Sequence, residues 1–72
     1  MTRIPIPKPC FLDNCDKVRW NRWRSKDRRF LYEWDSLHGE IEVYDKRGTH
    51  IGVIDIKGKP IKEAVDGRRI DV

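Results

Sequence analysis

Long apolar runs are missing from this chain of 72 residues. That excludes a membrane-spanning helix, which needs about 20 predominantly apolar residues in succession. A secretory leader is not expected in this stretch either, because Pro5, Pro7, Lys8 and Pro9 interrupt the amino terminus where its apolar core would lie. Cysteine is scarce. Cys10 and Cys15 have no second Cys/His pair at ligand spacing, which argues against a structural zinc site. One local disulfide is possible, and reduced, partly buried thiols are the expected state. Repeats and low-complexity tracts are absent. Hydrophobic residues make up only 38% of the chain against 39% charged, so a single small core must rest on its aromatic residues.

Positive charge is plentiful. A formal net charge of +4 and a pI near 9.3 favour an anionic partner, nucleic acid or an acidic protein. Lys17, Arg19, Arg22, Arg24, Lys26, Arg28 and Arg29 crowd one segment, interleaved with Trp20 and Trp23. The carboxylates concentrate directly after it. A basic approach surface beside an acidic pocket suits an enzyme acting on a polyanion, although a merely soluble basic surface has the same composition.

Short strands joined by turns account for most of the chain. Residues 1–9 are punctuated by proline and are expected to run extended, as a linker or an arm. Asp13, Asn14 and Asp16 allow one short helical turn. A first strand is expected from about Arg19 to Arg24, a turn at Ser25-Lys26-Asp27, and a second strand from about Arg28 to Asp35. Asp45-Lys46-Arg47-Gly48 and Lys57-Gly58-Lys59-Pro60 turn again around a β-branched stretch at 49–55. Pro60 confines the next segment to an edge or a strand start. The expected fold is mainly β: a small, highly twisted antiparallel meander of about five short strands, with an extended or short-helical arm (1–18) preceding the main unit (19–72).

The most informative stretch is Tyr32-Glu33-Trp34-Asp35-Ser36-Leu37-His38-Gly39-Glu40-Ile41-Glu42-Val43-Tyr44. With the turn at 36–39, Asp35 opposes Glu40 and Glu33 opposes Glu42. One face then carries Glu33, Asp35, Glu40 and Glu42, and the other Tyr32, Trp34, Ile41 and Val43. A slip of one residue would mix the two faces. Like charges opposite one another destabilise a strand pair, so four carboxylates with a histidine at the tip need a reason. Neighbouring carboxylates raise one another's pKa and stabilise a protonated imidazole, a setting for acid–base chemistry near neutral pH. A solvated acidic face relieved by nearby arginines is the bland alternative.

The motif Tyr32-Glu33-Trp34-Asp35-Ser36-x-His38-Gly39-Glu40-x-Glu42-x-Tyr44 resembles the cytotoxic ribonuclease domain of cloacin and the colicins that cut 16S ribosomal RNA. The resemblance runs from about residue 22 through Gly48-Thr49-His50-Ile51-Gly52 to Arg68-Arg69-Ile70. It does not reach residues 1–18, and the chain lacks that family's lysine-rich ending. It implies a toxin exported by one bacterium that acts in the cytoplasm of another. There it would cleave one phosphodiester in the decoding centre of the small subunit without metal or other cofactor. An acidic immunity protein would protect the producer. The implied catalytic residues are Asp35, His38, Glu42 and an arginine aligned to Arg69, with Arg68 the other candidate. Glu40 matches as well. RNA-binding positions are expected at Arg22, Trp23, Arg24, Arg28 and Arg68.

The chemistry makes sense of those residues. RNA carries its own nucleophile, so the enzyme must take the 2′-hydroxyl proton, protonate the leaving 5′-oxygen and stabilise the phosphorane. Glu42 suits the base, with Glu40 the alternative, and His38 suits the acid, oriented by Asp35. His50 is expected to be structural or solvated, and Tyr32 and Trp34 to lie in the core. Trp20 and Trp23 can each serve the core or stack on a base. Two rival classes stand beside this one: a divalent-metal nuclease using Asp35, His38, Glu40 and Glu42, and a non-catalytic RNA- or protein-binding β module.

Overall fold

A computed structural model describes residues 2–72, so Met1, the first residue of the expected arm, lies outside the described residues. Among the described residues, six strands form one antiparallel sheet in which every strand pairs with its neighbour in sequence. They are β1 (Asp16–Arg19), β2 (Arg22–Arg24), β3 (Phe30–Asp35), β4 (Glu40–Asp45), β5 (His50–Ile54) and β6 (Pro60–Glu63), preceded by a 3-10 turn at Phe11–Asn14. Among the described residues no helix is long and apolar enough to cross a membrane.

The sheet has one strand more than the sequence suggests. The segment around 19–24, expected to be one strand, is a hairpin folded at Trp20-Asn21, with Arg19 opposite Arg22. Asn21 takes φ 57°, a left-handed conformation that asparagine tolerates better than most residues. The later turns use one device repeatedly. Asp45 Oδ1 accepts from the amides of Arg47 (2.8 Å) and Thr49 (3.0 Å). Asp55 Oδ1 accepts from Lys57 and Lys59, each at 2.9 Å. An aspartate that satisfies amides two and four residues ahead holds a tight turn without help from elsewhere.

The β3–β4 register is the one the side-chain alternation requires: Tyr32 opposite Val43, Glu33 opposite Glu42, Trp34 opposite Ile41 and Asp35 opposite Glu40. One face of the sheet carries the main core of Trp23, Tyr32, Trp34, Ile41 and Val43. The amino-terminal segment closes it. Cys10 and Leu12 are buried in this cluster, Phe11 meets Tyr32 edge-on at 5.1 Å, and both cysteines are free thiols. Earlier residues lie along the same hairpin: Ile4 donates its amide to Ser36 O and accepts from Trp34 Nε1, each at 2.8 Å. Residues 4–12 therefore pack on their own sheet.

The opposite face buries Leu31, Tyr44, Val53 and His50. The carboxyl-terminal segment docks here. His50 donates its amide to Arg68 O (3.0 Å), Ile70 donates to Gly48 O (2.8 Å), and Thr49 pairs with Arg69. Gly48 (φ 88°) is obligatory at this crossing, because a Cβ there would sit 2.3 Å from Ile70 O.

Candidate active site

The acidic face of the β3–β4 hairpin holds two adjoining groups. The first is at the turn. Asp35 Oδ1 accepts from the amides of Leu37 (3.0 Å) and His38 (3.3 Å), while its Oδ2 contacts His38 Nδ1 at 2.7 Å. A carboxylate only accepts, so Nδ1 carries the proton and the exposed ring directs Nε2 away from Asp35. Burial pushes the Asp35 carboxyl up. The hydrogen bonds from the His38 ring and the two amides outweigh it, holding the group below the ordinary carboxylate range.

The second group surrounds Glu42. This carboxylate is buried, and its Oε1 receives both His50 Nε2 at 3.0 Å and the Arg68 guanidinium at 2.8 Å. The protonation of His50 follows from its other nitrogen. The Val65 amide donates to Nδ1 at 3.0 Å, so Nδ1 offers a lone pair and the ring hydrogen must be on Nε2, aimed at Glu42. Tyr44 lies edge-on to His50 at 5.3 Å. Burial raises its phenol, and Arg68 and a hydrogen bond to it act the other way.

Asp35, His38, Glu42 and Arg68 line one open groove together with Trp20 and Arg3. Glu40 is turned to one side, where Lys62 holds it at 2.8 Å. Arg69, the arginine aligned to the catalytic position, is not brought to the carboxylates: its guanidinium donates to Arg47 O at 3.1 Å. Thr49 pairs with Arg69 in an isolated bridge, and successive side chains there point opposite ways, so Arg68 rather than Arg69 faces Glu42. The Asp35, His38 and Glu40 ligand atoms lie within 4.8 Å of one another, close enough to share a divalent ion. Each already has a partner, however, in His38, Asp35 and the turn amides, or Lys62.

The expected RNA-binding residues divide. Arg24 and Arg28 line a second groove with Arg19 and Lys46, and Arg24 Nε is buried there without a hydrogen-bond partner. Arg22 borders the same groove but is only 9% exposed. It donates through Nε (3.1 Å) and NH2 (2.9 Å) to Glu33 and through NH1 to the Asp71 carbonyl. Its cross-strand position opposite an acidic residue makes it an internal counter-ion, and a buried, paired guanidinium is not free to meet a phosphate. Trp23 is in the core, on the same sheet face as its partner Tyr32, with Lys17 Nζ 5.4 Å from the ring centroid. Sequence reasoning missed His50 as the partner of Glu42. It also left Trp20 open, which proves to be 86% exposed at the groove. Asn21 beside it was the available turn signal.

The fold and this face define a small antiparallel-sheet domain with paired acid–base groups beside a basic groove. The sequence profile of the family described as Cytotoxic matches residues 13–71, and the chain belongs to that family. Cloacin from Escherichia coli is 49% identical over 43 residues, covering 57% of this chain and 8% of cloacin. Colicin E3 from Escherichia coli is 49% identical over 37 residues, 50% of this chain and 7% of that protein. The chain thus spans under a tenth of the length of either relative.

Proposed function

We propose that this chain is the ribonuclease portion of a bacterial toxin, cutting RNA through its own 2′-hydroxyl without a metal. The observation that carries the reading is one groove lined by a His38–Asp35 pair and by Glu42 with Arg68. Glu42 takes the 2′-hydroxyl proton. Both of its partners engage Oε1, which leaves Oε2 for that task. The O2′–P bond forms as the P–O5′ bond breaks, and His38 delivers a proton from Nε2 to the departing O5′. Asp35 orients the ring, and the Arg68 guanidinium meets the charge growing on the phosphorane. The products are a 2′,3′-cyclic phosphate and a 5′-hydroxyl. Arg68 takes the role for which the resemblance offered Arg69, because Arg69 bonds elsewhere. Glu42 is preferred to Glu40 because it lines the groove with His38 and Arg68, whereas Glu40 is drawn aside by Lys62.

The proposed substrate is 16S rRNA in the decoding centre, supported by kinship with cloacin and colicin E3. A domain this small has little surface for reading sequence, so selectivity would come from the shape of an already opened RNA. The groove of Arg19, Arg24, Arg28 and Lys46 suits the phosphate backbone of the flanking RNA. The same positive charge suits an acidic immunity protein in the producing cell, with the toxin exported and acting in the cytoplasm of a target bacterium. One observation favours a metal-dependent rival, the cluster of Asp35, His38 and Glu40. The decisive test is incubation of the chain with intact bacterial ribosomes in excess chelator. A single short fragment from the 3′ end of 16S rRNA, lost in His38→Ala, is expected. Cleavage only after adding magnesium or manganese would transfer the cluster to a metal, and general degradation would remove the decoding-centre target.

A further inference from the structure

Trp20 is the most exposed large apolar side chain on the described surface. The turn that carries it is nonetheless anchored. Trp20 occupies the two-residue turn between β1 and β2, whose next residue, Asn21, donates its side-chain amide to Trp34 O at 3.1 Å. That bond ties the turn to the β3–β4 hairpin. Trp20 thereby borders the groove of Asp35, His38, Glu42 and Arg68, while a neighbouring hollow lined by Ile4, Pro5 and Trp34 adjoins its other side. An indole left in water forgoes a large burial gain, and here it does so beside the reacting groups, on a turn tethered to them.

We propose that Trp20 is a stacking platform for an unpaired nucleobase next to the scissile phosphodiester. The inference rests on the ribonuclease reading for its substrate class. The 2′-hydroxyl can align in-line with the 5′-oxygen only when the nucleotide leaves regular stacking. An exposed indole face supplies a replacement stack of any base identity, while Arg3 and Arg68 flank the groove with positive charge. Trp20 thus positions the substrate; the proton transfers belong to Glu42 and His38.

The test uses the whole chain and a short single-stranded oligonucleotide, 2′-O-methylated throughout so that it cannot be cut. Its comparator has the same length and charge with abasic residues. Polarisation titrations should give wild type a preference for the base-bearing strand of about 5- to 150-fold, the equivalent of about 1–3 kcal/mol of stacking. Trp20→Ala should lose that preference with an unchanged melting temperature, and Trp20→Phe should keep most of it. On ribosomes, Trp20→Ala should raise KM far more than it lowers kcat. The platform is overturned if wild type ignores base removal, if neither strand binds, or if Trp20→Ala retains the preference. A Trp20-dependent base preference in a chain that never cuts RNA would keep the platform and refute the ribonuclease. Ribosome cleavage by a Trp20→Ala chain with the wild-type KM would do the reverse.

Discussion

Replacing Glu33 by Gln should unfold this domain more readily than any change to an exposed charge. Arg22 has 11% of its side chain exposed, and its guanidinium spends two donors on Glu33 Oε2 and one on the Asp71 carbonyl. Breaking a buried pair on one side leaves an uncompensated charge and costs about 3–5 kcal/mol. A quarter of the Glu33 side chain reaches solvent, so the expected loss here is somewhat smaller, about 2–4 kcal/mol. A domain of this size holds only about 4–11 kcal/mol in total. At about 4–8 °C per kcal/mol, the melting temperature should fall by roughly 10–30 °C. The double change Arg22→Met with Glu33→Leu should recover much of the loss, since replacing both charges removes the desolvation cost along with the attraction. Thermal melts of wild type, Arg22→Met, Glu33→Leu and the double variant complete the cycle, with Glu33→Gln measured beside them. The reasoning fails if Arg22→Met melts like wild type while the salt dependence of RNA binding becomes shallower by about one unit of log–log slope. That outcome would make Arg22 a phosphate contact after all.

Three further outcomes are expected at the site. Glu42→Gln should lower the rate of RNA cleavage by about 10²–10⁴-fold, the usual span for removing a general base, whereas Glu40→Gln should stay within a few-fold of wild type; the opposite ranking in single-turnover assays would move the base to Glu40. Arg68→Ala should cost about 10²–10³-fold in kcat and Arg69→Ala far less, and equal losses would contradict the separation of the two guanidinium groups. Asp35 titrates below the ordinary carboxylate range in the folded chain, so its contribution to stability is complete above its unfolded pKa and is lost as pH falls through the lower folded value. Accordingly, the gap in melting temperature between wild type and Asp35→Asn should be steady near neutrality and shrink on acidification, and a gap that widens in acid would reverse the sign.

The hairpin at 32–44 was legible because its information is local. Alternation of period two admits one register, and a slip would have driven Trp34 onto the carboxylate face. The turns were legible where aspartate and glycine announce them, and least so at Trp20-Asn21, where an asparagine with positive φ does the work without glycine or proline. What the chain conceals is set by contacts between distant segments. The choice between Arg68 and Arg69 depends on how residues 65–70 dock beside β5. The contact of His50 with Glu42 depends on the register shift between Val43 and Tyr44, which offsets β5 against β4. Burial of Cys10 and Leu12 carries no periodic signature at all, since their short segment packs as isolated apolar residues.

The neighbour-to-neighbour order of the sheet has a kinetic consequence. Each strand pairs with the one made just before it, so the six strands can zip together through short loop closures, each costing less entropy than pairing strands distant in sequence. The two segments that must travel furthest are the amino-terminal stretch, which brings Ile4 to Ser36, and the carboxyl-terminal stretch, which brings Arg68 to Glu42. Both deliver side chains to the groove only by closing over a hairpin that already exists. A sheet can therefore be complete while its groove is not. A chain drawn out from either end would surrender its groove contacts before its strands, and on refolding would regain them last.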